Sequence, residues 1–532
     1  MHVLPAMKKG CVFVALMAVI QMAAQDTPNG MNVKFGPVLH SKETALDGMI
    51  DLLSHDEGGY LVLSSDKNFF YFDKLDNDLV SVTTRSLPKV RFHEKELILK
   101  AHYSNGRELL LLFQCEDRKE DKVYLLAQRV NLQELNYSGE LEILEENSYE
   151  KRRYISGYQT CVSQGGSKFL VFTSSPGENG TPEKYSFRVF GDGLTELWQK
   201  DVELPYPNER FQSLDVVVDE GGSVFLTCKY YERTWKEAKK NDLVPYTYHI
   251  LGIFDKGSVI KDFEVLLGNK YVHTMGCGLD VNGDILATGA YSNTAETGAK
   301  GIFFIRIDRS TKQVVKQSTR ELDFDFITGS LSEKSKAKLQ KKEQKAEDYG
   351  IPNLVLRQIV MHDDGSISMV GEVFYTYVAC TVDSRGSRSC ITYYVYGDII
   401  VIKADREGEL QWTKRIEKFQ RTGDGPYFSS YIMLPQAGDL VFLYNDNPKN
   451  YITTRPGNEP PKARYTYTFK AISTYMAEIN DEGMIRQGEL FRHEKNSPFF
   501  IPKLSSVKDG EFFLYLRRGK RIQFCSVEPK NS

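Results

Sequence analysis

The sequence predicts an all-β chain folded as a single β-propeller. Three observations predict this fold class: a glycine-containing tight turn recurs eight times, an apolar run of strand-forming residues follows each turn, and the spacing between turns leaves room for four strands. Four-stranded antiparallel units repeated around an axis are the blades of a propeller. We therefore expect eight four-stranded blades, with seven blades as the main alternative.

The tight turns define the repeat and place the propeller domain over residues 31–529. Asn-Gly and Asp-Gly pairs favour tight hairpins because both residues tolerate positive φ. A third strand then runs into a second Asp/Gly turn, and a fourth strand follows. The eight first turns are Asp56-Glu-Gly58, Asn105-Gly106, Gln164-Gly-Gly166, Asp219-Glu-Gly221, Asn282-Gly283, Asp363-Asp-Gly365, Ala437-Gly438 and Asp509-Gly510.

The two ends of the chain supply the closure of the ring. The last repeat ends after its third strand, Arg521-Ile-Gln-Phe-Cys525, while residues Val33 to Val38 form a strand without a repeat of its own. We expect this N-terminal strand to complete the last blade, because pairing the two ends removes exposed sheet edges.

One segment has the composition of a helix. Residues 332–348 are strong helix formers, with Ser332 as a candidate N-cap and Gly350 and Pro352 beyond the end. The apolar stripe of this segment is thin, so we expect a solvated helix in an insertion over residues 330–352, between two blades. The alternative is a basic docking element for an acidic polymer.

Composition excludes several function classes. The 532 residues carry 68 Lys+Arg against 71 Asp+Glu, a net charge of −3. At 41% hydrophobic and 26% charged residues, the chain is neither disordered nor a multi-pass membrane protein. A nucleic-acid binder needs a concentrated basic surface, so we expect no nucleic-acid partner.

Residues 1–24 have the pattern of a secretory signal peptide. Lys8 and Lys9 precede an apolar run that ends at Ala24, and this run is shorter than the ~20 residues that a membrane span requires. No later stretch is apolar enough to span a bilayer, so we expect no transmembrane segment in the mature chain. The sequence therefore predicts export, with the periplasm, the outer-membrane surface and full secretion as the possible destinations.

The sixth repeat carries a more specific motif. Lys403-Ala-Asp405-Arg-Glu-Gly408-Glu-Leu-Gln-Trp412 contains Ala-x-Asp followed by Gly and then Trp. This pattern resembles the blade signature of bacterial secreted β-propeller repeat proteins of the PQQ-repeat and WD40-like kind. The resemblance covers the mature chain as architecture. Because only this repeat carries the motif well, we expect no cofactor.

Loop lengths distinguish the two faces of the predicted disc. The turns after the first and third strands lie on one face and are nearly all short, whereas the long insertions follow second strands and lie on the opposite face. Loops carry function when a rigid scaffold positions them. We therefore expect the loop-bearing face to bind a protein or polysaccharide partner.

The insertions of the fourth, sixth and seventh repeats are rich in tyrosine and arginine. Tyrosine combines a flat apolar ring with a polar tip, which suits sugars, peptides and protein partners. The alternative for any single tyrosine is packing within an extended hairpin. The predicted ligand-binding residues are Tyr230, Tyr231, Trp235, Tyr246, Tyr377, Tyr394, Tyr396, Tyr451, Arg455, Arg464, Tyr465 and Tyr467.

The cysteines indicate at most a partial set of disulfides. Removal of Cys11 with the signal peptide leaves seven of eight cysteines, and an odd number cannot be fully paired. Cys380 and Cys390 bracket a polar turn. They either form a disulfide with each other or remain as two free thiols. We expect no metal site, because no CxxC pair or matching histidine spacing occurs.

Two functions stay open at this point. The favoured interpretation is an exported, non-enzymatic binding or scaffold propeller that holds a protein or glycan on its loop-bearing face. The alternative is a propeller enzyme, either a glycan hydrolase or lyase or a quinoprotein-like oxidoreductase, with its site in the central funnel. The chain lacks the GxSxG, HExxH and P-loop motifs.

Overall fold

The structure is a computed structural model, and thirteen segments of the chain are described. They are residues 30–40, 49–148, 157–175, 182–191, 194–207, 210–241, 244–280, 282–294, 298–341, 349–423, 427–451, 472–494 and 496–529. The predicted signal peptide, residues 1–24, lies outside them. The described residues form eight antiparallel sheets of four or more strands, which follow one another along the chain, so the prediction of eight blades is confirmed.

The first half of the chain contains the terminal strands and four blades. The terminal strands are β1 (Met31–Phe35) and β2 (Leu39–His40). Blade 1 consists of β3 (Met49–Asp56), β4 (Gly59–Ser65), β5 (Phe69–Leu75) and β6 (Ser81–Pro88). A small hairpin follows, with β7 (Arg91–Phe92) and β8 (Lys95–Glu96). Blade 2 consists of β9 (Ile98–Ser104), β10 (Glu108–Asp117), β11 (Lys122–Asn131) and β12 (Asn136–Ser148). Blade 3 consists of β13 (Gly157–Val162), β14 (Phe169–Ser175), β15 (Pro182–Phe190) and β16 (Glu196–Pro207). Blade 4 consists of β17 (Phe211–Val218), β18 (Val224–Tyr231), α1 (Trp235–Asn241), β19 (Tyr246–Phe254) and β20 (Val259–Val265).

The second half contains the other four blades. Blade 5 consists of β21 (Tyr271–Leu279), β22 (Ile285–Ser292), β23 (Gly301–Asp308) and β24 (Gln313–Glu321). The helices α2 (Phe324–Ile327) and α3 (Glu333–Gln340) follow. Blade 6 consists of β25 (Leu354–Met361), β26 (Ile367–Val382), β27 (Arg388–Ala404), β28 (Leu410–Ile416) and the added β29 (Gln420–Thr422). Blade 7 consists of β30 (Tyr431–Gln436), β31 (Asp439–Asp446), β32 (Ser473–Ile479) and β33 (Ile485–Arg492). Blade 8 consists of β34 (Phe499–Phe500), β35 (Ser506–Lys508), β36 (Glu511–Arg518), β37 (Arg521–Pro529) and β1.

The N-terminal strand completes the last blade, as the sequence predicts. Strand β1 pairs antiparallel with β37, from Met31 opposite Pro529 to Phe35 opposite Cys525. Blade 8 then packs against blade 1 through side chains such as Tyr60 and Phe513, which share one buried apolar cluster. Within the described residues, each hydrogen-bonded sheet of four or more strands belongs to a single blade. Blades 8 and 1 are therefore joined by side-chain packing, which completes the ring.

Apolar clusters fill the seams between consecutive blades. Each seam draws buried Val, Leu, Ile, Phe and Tyr side chains from both neighbours. Full burial of such a side chain stabilises the fold by about 1.5–3 kcal/mol. The seams therefore hold the blades in fixed relative positions, which gives the loops a rigid base.

Two tryptophans and a glycine fix the approach of neighbouring blades. The indole Nε1 of Trp198 donates to the carbonyl of Gly222 at 3.0 Å, and that of Trp412 donates to the carbonyl of Asp481 at 3.0 Å. Gly408 has φ +79°, and a Cβ at this position would lie 2.4 Å from the ring of Phe304 in blade 5. The motif around Trp412 is thus explained by contacts between blades, and it lies on the outer strand rather than at the axis.

The helices lie in connections between strands. Helix α3 begins where the sequence predicts, with the Ser332 Oγ accepting from the Ser335 N–H at 3.3 Å, and none of its residues is buried. Residues 342–348, the second half of the predicted helix, lie outside the described segments. The sequence prediction missed α1, although Thr234 and Glu237 form a capping box with a 2.9 Å hydrogen bond from the Thr234 N–H. Within the described segments, the helices are too short or too polar to traverse a lipid bilayer.

Candidate functional site

The antiparallel order of each blade places the connections on two faces. The tight turns after first and third strands lie on one face, whereas the connections after second and fourth strands lie on the opposite, loop-bearing face. Helices α1, α2 and α3 all belong to connections on the loop-bearing face. This arrangement supports the predicted division into a plain and an elaborated face.

The largest described feature of that face is an extension of blade 6, which we call the arm and define as residues 374–396. Strands β26 and β27 contain 16 and 17 residues, whereas the other described strands contain at most 13. The extra length forms a two-stranded ribbon, and β29 pairs with its base at Tyr394 to Tyr396. Cys380 and Cys390 form a disulfide across the ribbon. Because an isolated hairpin is marginally stable, the disulfide holds the arm in its extended form.

One side of the arm carries a row of aromatic rings. The ring centroids of Tyr375 and Tyr377 lie 6.5 Å apart, and those of Tyr377 and Tyr393 lie 5.2 Å apart. The guanidinium of Arg421 lies 4.2 Å from the Tyr393 centroid and 5.8 Å from that of Tyr377. Tyr375 and Tyr377 are 38% and 37% exposed. The row therefore offers ring surface and a cation to a ligand.

Aliphatic side chains are also exposed on the arm. Val378 and Val382 are 61% and 67% exposed, and Ile391 is 43% exposed. Exposed apolar surface that is concentrated on one element marks an interaction site more often than scattered single residues do. Together with the tyrosine row, these residues make the arm the leading candidate for recognition among the described elements.

A buried charged network anchors the arm at its base. The ammonium of Lys418 donates to Glu372 Oε1 at 2.6 Å, and both side chains are fully buried. Arg357 Nε and Ser430 Oγ donate to Glu372 Oε2 at 3.1 and 2.9 Å. Arg357 also stacks 5.2 Å from the ring centroid of Phe374, the first residue of the arm. The network fixes the point where the arm leaves the blade.

The sequence prediction missed this network because its members are far apart in the chain. Lys418 and Glu372 are 46 residues apart, and no local pattern marks either residue. The predicted residue Tyr396 lies beside the network, with only 4% of its surface exposed and its ring centroid 4.7 Å from that of Phe374. Tyr394 is partly exposed on the strand that pairs with β29.

The predicted residue Tyr246 of blade 4 lies at the seam with blade 5, together with Tyr248. Tyr246 is 9% exposed and donates its hydroxyl to the carbonyl of Val272 at 2.9 Å. The ammonium of Lys229 lies 4.4 Å from the Tyr246 ring centroid and 4.8 Å from that of Tyr248. Burial lowers the pKa of Lys229 to about 8. These rings thus hold a cation supplied by the chain itself.

Two other predicted residues of blade 4 remain partly exposed. The Tyr230 ring centroid lies 4.8 Å from that of Tyr206, and the Tyr231 hydroxyl donates to Gln212 Oε1 at 3.4 Å. Both are accessible from the loop-bearing face. The backbone of Trp235 begins α1, and its side chain lies outside the described part of the structure.

Tyr451 belongs to a buried hydrogen-bond network in blade 7. Its hydroxyl donates to Asp446 Oδ2 at 3.1 Å, and its ring centroid lies 4.0 Å from that of Tyr475. Asp446 also accepts from the Asn450 amide at 2.8 Å. Burial raises the pKa of Asp446 to about 7. The other predicted residues of this insertion lie outside the described segments; they are Arg455, Arg464, Tyr465 and Tyr467.

The innermost strands bring a polar group together near the axis. Nε2 of His102 lies 2.9 Å from Asp51 Oδ2, and Ser506 Oγ donates to Asp51 Oδ1 at 2.7 Å. Burial raises the pKa of Asp51, but the hydrogen bonds from His102 and Ser506 lower it by more. The net pKa of Asp51 therefore lies below its ordinary value. The Ser506 hydroxyl thus donates to the carboxylate and not to His102, so the imidazole is not placed to act as a general base for this serine.

Two further polar groups lie outside the arm. His93, Asp117 and Glu120 bring one ligand atom each within 4.8 Å of the others, but the Lys95 ammonium already lies 2.6 Å from Asp117. A cleft of about 540 Å³ separates parts of blades 2 and 3, where Thr173 Oγ1 donates to Glu145 Oε2 at 2.6 Å. The sequence prediction anticipated neither group.

Comparisons with known proteins find similar structures at low sequence identity. No family profile and no curated protein matches the chain. The WD40 domain of SCAP from fission yeast is similar in structure, at 8% identity and a TM-score of 0.37, over 93% of this chain and 98% of that chain. The uncharacterized protein lmo1340 from Listeria monocytogenes has 8% identity and a TM-score of 0.34, over 78% of this chain and 90% of that chain.

A third similar structure is the β-propeller domain of the Trilobed protease from Pyrococcus furiosus. It has 9% identity and a TM-score of 0.29, over 71% of this chain and 96% of that chain. Likeness at these values carries no argument about function. The fold assignment accordingly rests on the strand pairings of this chain.

Proposed function

We propose that this chain is a binding propeller that holds a protein or glycan partner on its loop-bearing face, with the arm of blade 6 as the main recognition element. The observation that carries the proposal is the disulfide-held arm, with Tyr377 and Tyr393 stacked side by side under Arg421. Such a cluster provides apolar contact area, polar tips and a cation on a single rigid element.

Rigidity is the physical advantage of this arrangement. A ligand-binding side chain that is already ordered loses little conformational entropy on binding, whereas ordering a flexible one costs about 0.5–1.5 kcal/mol. The buried Glu372–Lys418 pair and the disulfide order the arm from both ends. Partner contacts therefore retain most of their favourable free energy.

We further propose that the chain acts outside the cytoplasm. A structural disulfide persists in oxidising compartments and is rare in the cytosol. The signal-like pattern of residues 1–24 supports the same location. Periplasm, outer-membrane surface and full secretion all satisfy these observations.

The alternative, an enzyme with its site in the funnel, has its best support in the group of Asp51, His102 and Ser506. We do not favour it, because both the imidazole and the hydroxyl are bonded to the same carboxylate. The tryptophan of the quinoprotein-like motif is likewise occupied by contacts between blades.

Paired variants test the proposal. The mature protein, Tyr377→Ala and the control Phe69→Ala are compared in pull-down and glycan-array binding. Phe69 is as exposed as Tyr377, at 37%, and lies on the same face in blade 1. We expect Tyr377→Ala to weaken partner binding about tenfold or more, the usual effect of removing a central aromatic contact. Equal binding by both variants would contradict the proposal.

A further inference from the structure

The arm has an open edge. Strand β25 pairs with β26 only as far as Leu354 opposite Val373, and residues 374–382 pair with β27 on their other side. Within the described segments, no strand occupies the continuation of β25 along the arm. An eight-residue stretch of β26, residues 375–382, is thus paired with a described strand on one side only.

The direction of the backbone groups along this edge follows from two observations. The Phe374 N–H donates to the Asn353 carbonyl at 3.0 Å, on the β25 side. The Cα atoms of Cys380 and Cys390 are 4.0 Å apart, nearer the ~4.5 Å of a non-hydrogen-bonded pair than the ~5.5 Å of a hydrogen-bonded one. Because backbone direction alternates along a strand, the groups that point to the open edge belong to Thr376, Val378, Cys380 and Val382.

This edge also lacks the protection that sheet edges normally carry. Residues 375–382, Tyr-Thr-Tyr-Val-Ala-Cys-Thr-Val, contain no charged residue, proline or glycine. Charged side chains and proline on edge strands discourage pairing with other chains. By contrast, the outermost strand of each of the eight blades carries at least one charged side chain. These residues are Lys34, Arg85, Glu142, Lys200, Lys261, Lys316, Lys414 and Arg486.

We propose that an extended segment of a partner polypeptide adds to this edge as a strand, in line with β25. The inference rests on the proposed binding function and specifies the partner as polypeptide. Outward N–H and C=O groups recur every two residues, about 7 Å apart, and another polypeptide backbone matches this spacing. Val378 and Val382 flank the edge and are mostly exposed, so the bound segment is uncharged and carries apolar side chains.

A synthetic peptide serves as the probe. Residues 389–395 are the uncharged native antiparallel neighbour of 375–381 on the paired side, from Thr381 opposite Ser389 to Tyr375 opposite Val395. A fluorescent peptide of this sequence, with Cys390→Ser, is titrated into the mature protein. The control peptide carries N-methyl groups at alternate residues, so it cannot donate hydrogen bonds along one edge. We expect binding of the first peptide only.

The matched protein variants are Val378→Pro and Val378→Ala. Both remove the valine side chain, but proline also removes the outward N–H, which the alternation of backbone direction turns away from β27. We expect Val378→Pro to bind the peptide about tenfold more weakly than Val378→Ala, since a lost hydrogen bond and the proline ring both oppose pairing. Equal disulfide formation and melting temperature exclude misfolding as the cause.

Hydrogen exchange resolves the outcomes. On peptide binding, we expect slowed exchange at the amides of Thr376, Val378, Cys380 and Val382. Slow exchange of these edge amides in the free monomer would overturn the proposal, because another part of the same chain would then cover the edge. Slowing of their exchange by a higher protein concentration alone would also overturn it, because a second copy of the chain would then occupy the edge. If Val378→Pro leaves capture of the natural partner unchanged while Tyr377→Ala abolishes it, strand addition fails and the proposed function stands. If neither variant changes capture of the natural partner, both strand addition and the proposed function fail.

Discussion

The buried pair at the base of the arm gives a quantitative prediction. Substitution of Glu372→Met leaves the fully buried Lys418 ammonium with the Gln420 Oε1 at 3.4 Å as its remaining described acceptor. Removal of one partner from a buried ion pair costs about 3–5 kcal/mol, because the other charge stays desolvated. The converse substitution, Lys418→Met, leaves Glu372 with Arg357 and Ser430. We expect it to cost only about 1.5–3 kcal/mol, the contribution of one hydrogen bond to a charged group.

Guanidinium unfolding of the wild type, both single variants and the double variant measures these free energies of unfolding. Replacing both charges leaves no buried ammonium, so we expect Glu372→Met/Lys418→Met to be more stable than Glu372→Met alone. The reasoning is refuted if Glu372→Met lies within about 1 kcal/mol of the wild type, or if Lys418→Met proves the more damaging single change.

Three further predictions concern other described groups. Burial raises the pKa of Asp446 to about 7, so the folded state holds a proton that the unfolded chain releases near pH 4. As the pH rises from about 4 to 7, the free energy of unfolding of the wild type, measured in urea, should therefore fall by up to about 4 kcal/mol relative to that of Asp446→Asn. A difference between the two proteins that does not change with pH would contradict this. Reductive ¹³C-methylation of Lys229, followed by NMR titration, should give a midpoint near 8, whereas a midpoint near 10.5 would exclude the buried position over the two rings. Trp412→Phe should lower the free energy of unfolding by about 0.5–1.5 kcal/mol through loss of its hydrogen bond to the next blade, and unchanged thermal unfolding would show that this contact adds nothing.

The parts of the fold that depend on local chemistry are predictable from the sequence. Each first turn occurs where Asp, Asn or Gly residues permit a tight reversal, and Ser332 begins α3 as its side chain chemistry requires. Completion of blade 8 by β1 is predictable because a strand without a repeat and a repeat without a fourth strand stand at opposite ends of the chain.

The candidate site is less predictable because it depends on contacts between distant residues. Alternating tyrosines indicate an extended hairpin, but nothing local distinguishes Tyr377, which is exposed on the arm, from Tyr396, which packs into its base. The same limit applies to Glu372 and Lys418, whose pairing requires the fold of blade 6 to bring them together. Helix α1 is the exception, since its capping box could have been found in the sequence.

Removal of the arm tests the central claim most directly. Tyr375 and Val395 face each other across the ribbon, so residues 376–394 can be replaced by an Asn-Gly turn. The measurement is the affinity of this variant and of the wild type for the partner recovered in the pull-down, with the melting temperature of each as a control. We predict that the shortened protein melts within a few degrees of the wild type and loses binding. Undiminished binding by the shortened protein would contradict the role of the arm in recognition.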